Sequence, residues 1–327
     1  VNETADELPA LGGNPVLDLL QARRESGSND DGATITLAIE GGGMRGVVCG
    51  GMVAALEHLG LTRAFDEIVG CSAGAIAGAY FTAGQGSFGT RIFYEEINNN
   101  RFIDKRRLLL RRPVVSVDFL LDDVSRNAKP LDWQAVIEAR TRLACVTSDL
   151  DAKSGALVDR FDGKEALFDA LKASARIPGV AGPPVMIGGN RHVDGGIYEN
   201  VPLKSALARG ATHVVALMTR PEGAIPDSLS LAEKLLIIPW LERQQKGVGY
   251  SYRGQVDRYR AEIEAVRDAA RQPEPRVIAV APRAGAAEVG NIEKDTARLK
   301  QGAVDGFNAV YEAFGLRPPP PAAALCL

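Results

Sequence analysis

From Thr34 onward, short runs of β-branched and apolar residues alternate with longer stretches of helical periodicity. The strand-type runs are Thr34 to Ile39, Asp66 to Val69, Arg142 to Ser148, Pro184 to Ile187, Arg191 to Val193, His213 to Met218 and Arg276 to Ala279. Between them Val47 to His58, closed by Gly60, an Ala-rich stretch from Ala73 to about Ala83, Gly163 to Ala175 and Pro202 to Ala208 read as helices. Near-continuous apolar strands that alternate with helices belong to a mostly parallel sheet covered on both faces, so a three-layer α/β/α fold is expected. The same pattern divides the chain into a main unit over residues 32–222, a mostly helical extension over 223–316 packed on it, and a flexible tail over 317–327. Pro221 to Ser228 reads as a linker, and Leu231 to Arg271 as mostly helical. The run from Arg276 to Val280 is too apolar to stand alone and is expected to extend the main sheet. Pro318 to Pro321 cannot continue a helix.

Residues 1–31 differ from the rest. They hold seven acids (Glu3, Asp6, Glu7, Asp18, Glu25, Asp30, Asp31) against Arg23 and Arg24, a net of -5. That is the reverse of a basic signal-peptide start, and the segment is expected to be a disordered, solvated arm with one short helix around Val16 to Arg24. The longest apolar stretches, such as Gly46 to Leu56, fall short of the ~20 residues of a membrane helix. A cytoplasmic protein, soluble or bound peripherally at a membrane, is expected.

Composition narrows the chemistry. An apolar content of 46% excludes a disordered chain, and 38 Lys+Arg against 41 Asp+Glu leaves no bulk basic field for a nucleic-acid partner. There are only three His and four Cys, and Cys49, Cys71, Cys145 and Cys326 form no CxxC pair. A zinc ribbon and a disulfide scaffold are therefore both excluded, and neither a metal nor a cofactor is expected.

Three glycine-bearing motifs carry the functional signal. Gly41-Gly42-Gly43-Met44-Arg45-Gly46 joins a strand to a helix with GxGxxG spacing, which suits a dinucleotide turn, an oxyanion site or close packing alike. A dinucleotide site needs an acid at the end of the second strand. Here Asp66 and Glu67 stand at its start, and its end is Gly70-Cys71-Ser72-Ala73-Gly74, the GxSxG pattern of a strand-turn-helix elbow that exposes a serine hydroxyl. None of the histidines is well placed to serve that serine. His58 ends a helix at the far edge of the sheet, His213 begins a strand, and His192 falls about two residues before a strand end. In Arg191-His192-Val193-Asp194-Gly195-Gly196 the carboxylate of Asp194 stands where a strand ends, and a carboxylate beside the hydroxyl can accept its proton in a dry site.

Taken in order and spacing, these motifs resemble the patatin-like phospholipase family. The stretch from Ser174 to Pro178, ahead of Pro183 and Pro184, is also similar to that family's helix-to-strand segment. The resemblance covers about Thr34 to Arg220 and makes residues 32–222 a catalytic domain. It implies a histidine-free serine acyl hydrolase with Ser72 as nucleophile, Asp194 as general base and an oxyanion hole from Gly41, Gly42, Gly43 and Ala73. Met44, Arg45, Gly46, Gly70, Gly74, Gly195 and Gly196 support those turns. The third motif ends Gly195-Gly196 rather than Gly-Ala, a mild departure. Residues after Pro221 resemble the extension of some bacterial members. The implied partner is a lipid or other acyl ester. The rivals are an acyltransferase using the same dyad and a non-catalytic nucleotide- or lipid-binding regulatory protein.

One further segment bears on the substrate. Arg101 to Arg112 holds six bases and one acid, a net of +5, mixed with Phe102, Ile103 and Leu108 to Leu110. It suits either peripheral contact with a membrane surface or a solvated helix with an inward apolar side. Val117 to Leu121 is expected to help line an acyl pocket.

Overall fold

The computed structural model describes residues 14–110, 112–221, 224–225 and 228–327. Residues 1–13 of the acidic arm, Arg111 and the middle of the Pro221–Ser228 linker lie outside them. Among the described residues eight strands form one sheet: β1 (Ile35–Ile39), β2 (Glu67–Cys71), β3 (Arg142–Asp149), β4 (Ser154–Val158), β5 (Val185–Ile187), β6 (Asn190–Asp194), β7 (His213–Leu217) and β8 (Val277–Val280). The order is β5-β6-β3-β2-β1-β7-β8, with β4 on the remaining edge of β3. The five strands from β3 to β8 pair in parallel. Every residue of β1 and β2 is buried, as strands covered on both faces require. As expected, β8 extends the main sheet.

Helix α1 is Pro15–Ser26, α2 is Val47–His58 and α3 is Ala73–Thr82. Of these, α2 and α3 start at the site end of the sheet, and α1 packs at the opposite end, where β1 and β2 begin. Residues Val47 to Leu56 of α2 are buried all round, because the helix lies between the sheet and the long helix Thr296–Ala313. Small residues set that spacing: a Cβ on Gly51 would lie 2.0 Å from the Ala303 carbonyl oxygen, and one on Gly306 would lie 2.0 Å from that of Val48. None of the described helices is long and apolar enough to cross a membrane.

Two expected disordered ends are corrected where they are described. Residues 14–31 are held to the body. Asn14 caps α1, Val16, Leu17 and Leu20 are buried, and the buried Arg23 guanidinium donates to Asp31, Asp66 and the carbonyls of Ala33 and Ala64. The local acidity thus serves in part as a counter-charge for a buried cation, and Asp31 is held well down, at about 2, by that hydrogen bond. At the other end, Ala322–Leu325 forms a helical turn, Leu325 is fully buried and its carbonyl accepts the Tyr94 hydroxyl at 2.6 Å.

A third correction concerns direction. The hairpin strand β4 is not foreseen by the pattern, and β6 runs antiparallel to β3. β2 pairs with β3 only as far as Cys71 opposite Val146, and β6 takes over that edge with Asp194 opposite Thr147. The two strands therefore meet end to end along β3, with Ser72 and Asp194 at the junction.

Candidate active site

The elbow is built from small residues. Ser72 has φ 54 and ψ -123, a region that non-glycine residues seldom occupy and that the surroundings must enforce. Two contacts do so. The Ser72 N–H donates to the Ser174 hydroxyl at 2.8 Å, which in turn donates to the Val146 carbonyl at 2.7 Å. Gly74 lets α3 start against β1, since a Cβ there would lie 2.4 Å from the Ile39 carbonyl oxygen. Gly70 and Gly46 meet similar close neighbours, Ala75 at 2.5 Å and the Ala73 methyl at 2.5 Å.

Asp194 faces the Ser72 hydroxyl. Burial pushes its carboxyl up to about 6, against hydrogen bonds from the Ser72 side chain and the Gly196 N–H, the latter at 2.8 Å. Gly195 allows the turn to sit on β3, because a Cβ there would lie 2.6 Å from the Val146 carbonyl oxygen. The histidines stand apart. His58 Nδ1 meets the Tyr311 hydroxyl, His213 contacts Thr212, and His192 Nδ1 meets Thr147 Oγ1 at 3.0 Å. Because β6 is antiparallel, His192 pairs with Asp149 beyond the junction, nearer the sheet edge than Asp194 and not beneath it. Cys71 is fully buried in the cluster on the sheet face that also holds Val69 and Val214. Among the described residues no group of three or more His, Cys, Asp or Glu side chains converges as metal ligands would.

The glycine loop lies over the elbow. A Cβ on Gly41 would lie 3.0 Å from Ser72 Cβ. The Gly41 N–H donates to the Asn200 carbonyl at 3.3 Å, so this glycine is not a free donor and leaves the expected oxyanion set. Gly42 and Gly43 precede and begin the short 3-10 turn Gly43–Gly46, and Ala73 begins α3, so their amides have no acceptor within those helices. Met44 donates to the Asn291 carbonyl at 3.0 Å. Gly43, at φ +57, passes under that same carbonyl, where a Cβ would approach to 2.7 Å.

What holds this loop comes largely from the extension. The buried Arg45 guanidinium donates to Thr219 Oγ1 at 2.9 Å and to Asn291 Oδ1 at 2.5 Å. Glu40 accepts the Thr219 N–H at 2.5 Å and the Tyr259 hydroxyl at 2.7 Å. Glu262 accepts the N–H groups of Asn200 and Val201, each at 3.0 Å, and burial pushes its carboxyl up to about 7. Sequence reading did not find Asn291, Tyr259, Glu262 or Ser174 as site residues. Ser174 opens the stretch already singled out in the resemblance, and the apolar stripe of Tyr259, Ile263 and Val266 with Glu262 inside it was a further signal; Asn291 sits in an irregular loop with no periodicity.

Two spaces meet at Ser72. An apolar cavity of about 730 Å³ of empty space, open mouth included, runs inward past Met44, Ile76, Phe93, Val117 and Leu120. A wider cleft of about 2100 Å³, open solvent included, spreads outward past Asp194, Arg220, Leu236 and Tyr252. The expectation that the Val117 to Leu121 stretch contributes to a pocket holds for Val117 and Leu120. In the basic segment, Phe102 and Ile103 are buried, whereas Leu108, Leu109 and Leu110 point to solvent on the 3-10 turn Lys105–Leu110. The apolar side there is outward, not inward.

Fold and site together are those of three-layer α/β proteins that carry a serine on a sharp strand-to-helix elbow beneath a glycine loop. The chain belongs to the patatin-like phospholipase family, whose profile matches residues 37–207. It is 24% identical over 221 residues to the uncharacterized protein YjjU of Escherichia coli K12, a match covering 66% of this chain and 58% of that protein. The chain thus spans less than two thirds of this relative. Among solved structures, VipD from Legionella pneumophila superposes with a TM-score of 0.51 at 13% identity, over 86% of this chain and 67% of that one. Human GIVD cytosolic phospholipase A2, bound to methyl gamma-linolenyl fluorophosphonate, gives 0.45 at 13% identity over 96% and 63%.

Proposed function

We propose that this chain is a serine acyl hydrolase that cleaves lipid esters through Ser72 and Asp194 with no histidine. The observation that carries the reading is the junction itself. A serine held at positive φ faces a buried carboxyl raised to about 6, under the free amides of Gly42, Gly43 and Ala73 and at the mouth of an apolar cavity. Ser72 Oγ attacks the ester carbonyl carbon as its proton passes to Asp194, and the carbonyl oxygen gains negative charge toward those amides. Collapse breaks the bond to the alcohol, which leaves with the proton from Asp194. Water then attacks the acyl-serine, again giving its proton to Asp194, and the fatty acid departs as Ser72 recovers a proton. The cavity takes the acyl chain, and the wide cleft takes the head group.

Ser72→Ala and Asp194→Asn should each abolish fatty-acid release from a mixed lipid extract, read by mass spectrometry. His58→Ala, His192→Ala and His213→Ala should retain it. A folded but inactive His192→Ala or His213→Ala protein would overturn the dyad. Diversion of product from free acid to ester on adding an alcohol acceptor would assign acyl transfer instead.

A further inference from the structure

Three separate stretches of chain hold aliphatic side chains in water around the mouth of the cleft above Ser72. The turn Lys105–Leu110 presents Leu109 and Leu110, 87% and 67% exposed. The π-helical turn Glu233–Ile237 and the residues just before it present Leu235 and Leu231, 64% and 72% exposed. Ile292, also exposed, follows Asn291 on the third. Neighbours on each stretch, Leu108, Leu236 and Ile292 itself, line the cleft, so the three form one rim. Single exposed leucines are ordinary, but a ring of them around one opening marks a contact surface.

The charge on this rim is positive in net. Asp104 is paired with Arg106 and Glu293 with Arg298, whereas Glu233, held by the neutral donors Ser230 and Tyr252, keeps its single negative charge. Lys105, Arg112 and Lys234 have no carboxylate partner among the described residues, and the Arg107 guanidinium donates to the Asn100 and Arg101 carbonyls. Apolar tips among cations in net excess match the boundary of an anionic bilayer, where hydrocarbon lies just beneath negative head groups. A protein partner would need acidic groups spaced to suit three irregular loops. A lipid surface adapts to them.

We propose that this rim docks the protein on anionic bilayers, with the leucines entering the interface and Lys105, Arg112 and Lys234 facing the head groups. The proposal rests on reading the Ser72 cleft as a lipid-ester site, since docking there lets an acyl chain pass from bilayer to cavity without crossing water. The test is co-sedimentation with vesicles of phosphatidylcholine, with or without phosphatidylglycerol, in the Ser72→Ala background so that the vesicles survive. Binding should be strong only with phosphatidylglycerol, should weaken with salt, and should fall by about tenfold or more in Leu109→Asp/Leu235→Asp. In the Ser72 protein the same pair, which does not line the cleft, should leave hydrolysis of a water-soluble short-chain ester unchanged. Absence of binding to anionic vesicles, or equal binding by the double variant, would overturn the proposal. So would a dimer in gel filtration that the double variant abolishes, because the rim would then belong to a second copy. Vesicle binding without any ester hydrolysis would overturn the reading of Ser72 and leave the docking surface standing.

Discussion

Asp194→Asn should make the protein inactive and, at alkaline pH, more stable. The carboxyl is raised from its ordinary 3.8 to about 6 because burial penalises the charged form more than Ser72 and Gly196 stabilise it. The folded state therefore holds this proton more tightly than the unfolded chain does. The resulting stability is fully present below about pH 3.8 and is lost as pH rises through about 6. The gap between the two values is worth at most about 3 kcal/mol. Asparagine cannot ionise, keeps an oxygen for the Gly196 N–H, and removes that penalty. At pH 8 the variant should melt about 4 °C above the parent, and at pH 4 the difference should vanish. The parent's hydrolysis of a soluble ester should rise with pH to a plateau with a midpoint near 6, as the base is freed of its proton. Calorimetry at the two pH values and a pH–rate profile check both arms. A variant no more stable than the parent at pH 8, or a gain that persists at pH 4, would refute the reasoning.

Three further outcomes follow from the contacts around the elbow and the chain ends. Asn291→Ala removes the Arg45 anchor of the glycine loop and should slow acylation by a fluorophosphonate about tenfold with KM for a soluble ester unchanged, while Asn291→Asp, which keeps the acceptor, should restore the rate. Ser174→Ala leaves the Ser72 N–H and the Val146 carbonyl without their partner, and urea unfolding should show a loss of about 2–4 kcal/mol together with lower activity. Leu325→Ala opens a hole under the docked terminal turn and should cost about 2–5 kcal/mol in the same assay without changing the pH–rate midpoint.

Much of the sheet was readable because its strands are buried on both faces and so spell near-continuous apolar runs; β1, α2 and β7 fall within a residue or so of their expected limits. β4 was missed because its residues are only partly buried and carry no such run. The acidic composition of residues 1–31 suggested disorder because composition counts charges without pairing them, and Arg23 finds its partners at Asp66, more than forty residues away. The Pro318–Pro321 stretch carries no helix, as its prolines require, although the preceding helix already ends at Ala313. What it could not convey was that the chain beyond it folds back onto Tyr94.

The sequence by itself determined the local devices: a serine on a turn with small flanking residues, a glycine loop between strand and helix, and an aspartate at a strand end. These rest on backbone geometry over a few residues, which composition and spacing specify directly. Only the tertiary structure decided that Asp194 reaches Ser72 through an antiparallel strand that meets β2 end to end. It also decided that Gly41 is already bonded, that Asn291 and Tyr259 brace the site from the extension, and that the leucines of the basic segment face water. Each of these depends on which distant atoms share a hydrogen bond or a buried surface, and that is fixed by packing across the whole chain.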